Sequence, residues 1–122
     1  MSGELSGRHR DFNDGAGVNA AELELVHSPV PAEQVRDGAP TASAATLGEY
    51  SGLEVGVWEL TPGTVTDVEA NELFIVLSGA ATVSFVDEDR VEHLSPGSVL
   101  RLLAGQRTVW TVTETIRKVY IA

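Results

Sequence analysis

"PGTVTDVEANELFIVLSG" (Pro62–Gly79) is the stretch that decides the fold. It opens on a Pro-Gly turn, crosses Asp67, Glu69 and Glu72, and runs into five consecutive apolar residues, Leu73–Leu77, before Gly79. A short apolar run bounded by turn residues suits a buried strand. Side chains alternate along a strand, so Glu72, Phe74 and Val76 share one face and Leu73, Ile75 and Leu77 the other. Three carboxylates within six residues therefore stand at the mouth of a buried strand, where they need solvent or partners.

The same punctuation recurs outward from this stretch. "LEVGVWEL" (Leu53–Leu60) alternates and stops at "TPG". "AATVSFVDED" ends in an acidic turn at Asp87–Asp89, "RVEHL" is stopped by "SPG", and "SVLRLLAG" by Gly105. "RTVWTVTE" alternates strictly, with Thr108, Trp110 and Val112 on one face, and "TIRKVYIA" closes the chain. About seven short strands at this spacing predict an all-β sandwich or barrel. Pro29, Pro31 and Pro40 mark an extended connection with one helical turn at Ala32–Arg36. Ala21–Val26 alternates apolar and acidic residues, as an edge strand does, and residues 1–20 read as a poorly ordered tail. The expected division is a tail over residues 1–29 and one barrel domain over residues 30–122.

A chain of 122 residues suits a single domain, and 43% hydrophobic residues allow a packed core. Without Cys there is neither a disulfide framework nor a thiolate metal site. A formal net charge of -10 repels phosphate backbones and argues against nucleic-acid binding. The same field favours cationic ligands, although solubility alone also accounts for it. No stretch approaches the ~20 apolar residues of a membrane span, and the N-terminus lacks the apolar core of a secretory signal. The expectations are no membrane and a cytoplasmic location.

Two stretches resemble the motifs of the cupin superfamily, small double-stranded β-helix (jelly-roll) barrels. The first motif is framed by Gly63 and Gly79, with Glu72 at its Glu position, and its two His positions fall on Glu69 and Asn71. The second is framed by Gly97 and Gly105, with Leu103, Thr108 and Val112 where the pattern has Pro, His and Asn. "GVWELTPG" and the closing "VWTVTETIRKVYIA" resemble more specifically the cupin_3 group, which includes the cupin domains of ureidoglycine aminohydrolases. The resemblance covers roughly Val30–Ala122 and implies a jelly-roll cupin barrel and a homodimer, with Ala21–Val26 as an edge strand that two protomers share.

Cupin metal centres typically use three His and one Glu. The chain has only His9, His27 and His93, none at a motif position, so no His-type metal centre and no cofactor is expected. A weakly held hard divalent cation on Glu69, Asn71, Glu72 and Thr108 is the alternative. The expected ligand pocket comprises Glu69, Asn71, Glu72, Phe74, Thr108 and Trp110, with Glu69 and Asn71 at its rim. Glu72 is the candidate catalytic group, since two close carboxylates in an apolar barrel repel and leave one as a proton donor. Trp110 is either a core residue or a wall for a planar ligand. Arg117 and Lys118 alternate, so one faces inward and can pair with the acidic rim. Three functional readings follow. The first is a small-molecule-binding cupin of unassigned substrate without a His-type metal centre. The second is a metal-dependent enzyme like the ureidoglycine aminohydrolases. The third is a non-catalytic structural or regulatory dimer.

Overall fold

The computed structural model describes residues 11–122. Residues 1–10 of the expected tail, His9 among them, lie outside the described residues. Nine strands form one curled antiparallel sheet: β1 (Ser28–Pro29), β2 (Val35–Asp37), β3 (Thr41–Tyr50), β4 (Leu53–Leu60), β5 (Gly63–Val68), β6 (Glu72–Phe85), β7 (Arg90–Leu94), β8 (Val99–Leu102) and β9 (Arg107–Ile121). Helical structure among the described residues is limited to two short 3₁₀ turns, Phe12–Asp14 and Ala32–Gln34. No helix among them is long and apolar enough to cross a membrane. The architecture is an all-β barrel built from one curled antiparallel sheet.

Two long strands organise the sheet. Along one edge β9 pairs with β6 over nearly its whole length. Along its other edge it pairs first with β5, Arg107–Val112, and then with β4, Ile116–Ile121. A 15-residue strand that changes partners midway must bend, and the bend curls the sheet into a barrel. β6 also carries β8 on its first half and β7 on its second.

The spacing of Gly and Pro predicts about seven short strands; nine are present, and β6 and β9 run 14 and 15 residues. Gly79 does not end a strand. It lies inside β6 at a shift in the β6–β9 register, with φ +92. A bulge there lets β6 bend without breaking, as glycine permits. Likewise "RTVWTVTE" and "TIRKVYIA" form one strand, β9. β3 begins at Thr41, inside the Pro-rich stretch that the sequence pattern leaves as connection up to Ser43. Ala21–Val26 is not an edge strand: the segment runs irregularly, and the carbonyls of Ala20 and Leu23 accept hydrogen bonds from Arg117 Nη1 at 2.9 and 2.7 Å. An ionic donor on β9 captures those backbone groups in place of a neighbouring strand.

Strand parity sorts the side chains as the alternation predicts. Phe74, Val76, Val83 and Phe85 of β6 point inward with Trp110, Val112 and Ile116 of β9, and with Leu60, Val65 and Leu102 they form the core. Across β4 the same alternation places Trp58 inside and Val57 outside. Val57 is nonetheless fully buried, on a face that the N-terminal segment crosses. Asn13 accepts a hydrogen bond from the Glu49 amide, and His27 bridges Thr41 and Glu59. Residues 12–27 thus lie across the outer face of β3 and β4.

A Cβ on Gly79 would lie 2.0 Å from the Thr115 carbonyl oxygen and 2.6 Å from Ile116 Cα, both backbone atoms of β9. Gly97 has the same φ of +92 but nothing within 4 Å. Gly79→Ala is therefore expected to cost about 3 kcal/mol or more, and Gly97→Ala about 1 kcal/mol. Urea-unfolding midpoints of the two variants check the ordering.

Candidate functional site

The inner face leaves a cavity of about 380 Å³ at one end of the barrel, near the small end of the range for ligand sites. β4 contributes Trp58 and Leu60, β5 Val65 and Asp67, β6 Glu72, and β9 Trp110 and Lys118. Glu69 enters from the turn between β5 and β6. The register fixes this grouping: Lys118 stands opposite Trp58 on β4 and Val76 on β6, while Trp110 stands opposite Val65 on β5 and Val83 on β6.

Lys118 is the centre of the site. Only 5% of it is exposed, and its Nζ donates to Glu72 Oε2 at 2.7 Å. The same ammonium lies 4.4 Å from the Trp58 ring centroid, 4.3 Å from that of Phe74 and 5.0 Å from that of Trp110. Three aromatic faces around one cation replace part of the hydration it has lost. The rings also pack on one another, Trp58–Trp110 at 5.5 Å and Phe74–Trp110 at 5.8 Å between centroids. Burial pushes the Lys118 ammonium below the usual lysine range, and the charges of Glu72, Glu69 and Asp67 oppose that shift.

Glu69 is held by two side-chain donors. Thr108 Oγ1 donates to Glu69 Oε2 at 2.6 Å and Trp110 Nε1 donates to the same oxygen at 3.1 Å. Its backbone is pinned as well, the Glu69 amide donating to Gln106 and the Gly105 amide to the Glu69 carbonyl, both at 2.8 Å. Asp67 stands at the mouth beside these groups. Loss of hydration raises its pKa, the Glu69 charge adds to the rise, and the Val68 amide and Lys118 act against it. Three carboxylates thus face one ammonium.

The expected pocket residues separate into three groups. Glu72 and Trp110 line the cavity. Glu69 also lines it, but as a buried group and not at the rim, because Thr108 and Trp110 draw it inward. Phe74 and Thr108 are buried behind it, Phe74 as a ring beneath Lys118 and Thr108 as a donor to Glu69. Asn71 belongs to neither group: it is exposed on the β5–β6 turn, where its side chain accepts from the Ala104 amide at 3.0 Å.

Of the pair Arg117–Lys118, Lys118 faces the cavity and Arg117 the opposite side, where it binds Glu59 at 2.9 Å. The pattern of alternation predicts one of the two inside but does not say which. One signal in the sequence was available: the chain has seven arginines and a single lysine, and that lysine is Lys118. Asp67 also lines the cavity beyond the expected set.

The donor set does not fit the metal centre that cupins typically carry. Lys118 occupies a Glu72 oxygen, two donors converge on one Glu69 oxygen, and Asn71 is turned away. His27 is engaged with Thr41 and Glu59, and His93 is exposed on β7. Among the described residues no three His, Cys, Asp or Glu side chains are grouped to hold a metal ion.

A family model described as the EutQ-like cupin domain matches residues 47–120. Among solved structures, a protein of unknown function from Pseudomonas syringae pv. tomato superposes with a TM-score of 0.70 at 24% identity. The match covers 82% of this chain and 44% of that one, so this chain spans less than half of its length. The EutQ protein of Clostridium difficile gives 0.64 at 14% identity, covering 86% of this chain and 83% of that one. A cupin-2 domain protein from Shewanella frigidimarina gives 0.56 at 19% identity, covering 66% and 78%. At these identities the likeness is one of fold. No curated protein matches the sequence.

Asp67 supplies a test of the cavity's electrostatics. Its folded-state pKa is raised, so its ionised form opposes folding, and that cost grows as pH rises from about 3.9, the ordinary Asp value, through the folded pKa. Asp67→Asn is expected to be more stable than the parent at pH 7, with the difference vanishing below about pH 3.9. Thermal unfolding of both proteins across pH 3–8 reads it.

Proposed function

The chain belongs to the EutQ-like cupin domain family, and we propose that it binds a small molecule in its barrel cavity without a His-ligated metal. The observation that carries this reading is the cavity itself: an apolar, Trp-walled space with Glu69, Glu72 and Lys118 converging at its inner end. Ligand sites commonly combine an apolar wall with a few convergent polar groups. The volume suits a compact ligand, and the exposed face of Trp58 suits a flat or apolar portion of it. The polar end of that ligand is a hydrogen-bond donor or a cation, because carboxylates outnumber the ammonium three to one.

The metal-dependent aminohydrolase reading lacks a donor set, since the groups at the motif positions are spent on Lys118, Thr108 and Trp110. Assembly as a homodimer is a separate proposal. Ile75 and Val99 pair across β6–β8 on the outer face of the barrel, and Leu73 stands beside them. Leu73 is 37% and Val99 62% exposed, an apolar strip that a second copy would cover.

Trp58 and Trp110 are the only tryptophans and both line the cavity, so their fluorescence reports its occupancy. Titration with short primary ammonium compounds is expected to give a saturable change that carboxylates of the same size do not. Glu72→Gln is expected to remain folded and to weaken that binding by at least about tenfold, which corresponds to ~1.4 kcal/mol. A preference for the carboxylates would overturn the reading. For the assembly, light scattering at micromolar concentration is expected to give twice the 12.9 kDa chain mass, and Val99→Glu to shift it toward the monomer. A monomeric parent protein would reject the dimer.

A further inference from the structure

The cavity's cation is the only lysine of the chain, against seven arginines. A structural ion pair alone does not require lysine. Arginine is always charged, is less strongly hydrated and pairs with carboxylates through two parallel hydrogen bonds, so it suits buried pairing better. What lysine adds is the ability to lose its proton and act as a nucleophile toward carbonyl carbon. Lys118 Nζ lies in the wall of a cavity large enough for a small ligand, 2.7 Å from a carboxylate that can carry protons.

We propose that Lys118 captures a small aldehyde or ketone in the barrel cavity as a covalent imine, with Glu72 as the proton carrier. The proposal rests on the cavity being a ligand site and goes beyond that reading by naming a bond and a substrate class. Glu72 takes one proton from the ammonium, and the freed nitrogen lone pair forms a C–N bond to the carbonyl carbon. The π electrons of the carbonyl move to its oxygen, which collects a proton released from the nitrogen and gives a carbinolamine. Glu72 returns its proton to the hydroxyl, the C–O bond breaks, water leaves, and the nitrogen lone pair completes a C=N bond. The balance is one ammonium and one carbonyl compound to one protonated imine and one water, with no oxidant or reductant.

Three features of the site favour this step. The product is a cation standing where the ammonium stood, so no new charge is buried. Glu72, Glu69 and Asp67 keep that cation protonated, and the rings of Trp58, Phe74 and Trp110 face it as they face the ammonium. Burial also lowers the cost of freeing the amine, since it pushes Lys118 below the usual lysine range.

Sodium cyanoborohydride traps imines irreversibly, and the only other amine on the chain is the N-terminal α-amino group. The protein is incubated with propionaldehyde and cyanoborohydride at pH 7, and adducts are located by intact mass and peptide mapping. The expected result is one adduct at Lys118, formed at least about tenfold faster in the folded protein than in the urea-unfolded chain. An exposure of 5% alone predicts the reverse order. Lys118→Arg, which keeps the charge, is expected to abolish the cavity adduct. Glu72→Gln, which keeps the lysine, is expected to slow it by about tenfold, and an unchanged rate would overturn the role of Glu72. Labelling confined to the α-amino group, or no faster at Lys118 when folded, overturns the proposal. If tryptophan fluorescence still reports ammonium binding in that case, the cavity remains a ligand site and only the covalent step fails. An adduct at Lys118 without ammonium binding supports the covalent step and overturns only the preference for a cationic ligand.

Discussion

The antiparallel pairing of β6 with β9 is the constraint on which the rest of the molecule depends. These two strands supply most of the inner face, and every other strand except β1, β2 and β3 pairs with one of them. Their length makes the barrel possible: β9 serves β5 with its first half and β4 with its second while β6 spans both. A strand of 15 residues with partners on both edges stays straight only if nothing relieves the twist. The register shifts around Ser78–Ala81, with Gly79 against the Thr115 carbonyl, provide the relief. The same register sets Lys118 between Trp58 and Val76, so the site is a consequence of how the barrel closes.

The site balances two opposing electrostatic effects. Removing an ammonium from water costs several kcal/mol even after relaxation, and a single partner seldom repays it. Lys118 has more than one partner: a 2.7 Å bond to Glu72, two further carboxylates and three ring faces. The carboxylates need the ammonium in turn. Glu69 has two neutral donors on one oxygen, and Asp67 at the mouth gains a proton more readily than an ordinary Asp. The acidic stretch at the start of β6 is therefore only partly a solvated rim. One of its three carboxylates is buried, one is paired, and one stands at the opening.

A second ionic cluster works on the opposite face of the same strands. Arg117 binds Glu59, Glu59 binds His27, and Arg117 also holds the carbonyls of Ala20 and Leu23. Adjacent residues of β9 thus serve different ends, Lys118 facing the cavity and Arg117 fastening the N-terminal segment over β4. The planar guanidinium, with several donors in fixed directions, suits that second task.

Much of this was legible in the sequence. Alternation in Leu53–Leu60, Leu73–Leu77 and Arg107–Glu114 pointed to an all-β sandwich or barrel, and parity put Phe74 with Glu72 and Thr108 with Trp110 on common faces; the cupin type, and that these faces turn inward, came from the resemblance carried by the framing motifs. Alternation and parity are local properties, since a strand's period of two decides its faces before any partner is met. What local pattern does not carry is which strands continue through a glycine, which edge each one meets, and which charges end up together. Gly79 reads the same as a strand end or a bulge, and only the pressure of β9 against it distinguishes the two. Ala21–Val26 carries the alternation of a strand, but an arginine 94 residues away claims the Leu23 carbonyl. Lys118 and Glu72 are separated by 46 residues, and neither is a charge centre until β6 and β9 pair. Local alternation sets which side chains share a face; which charges meet is settled only when distant strands pair, because the energy of a buried charge depends on its neighbours in space and not on its neighbours in the chain.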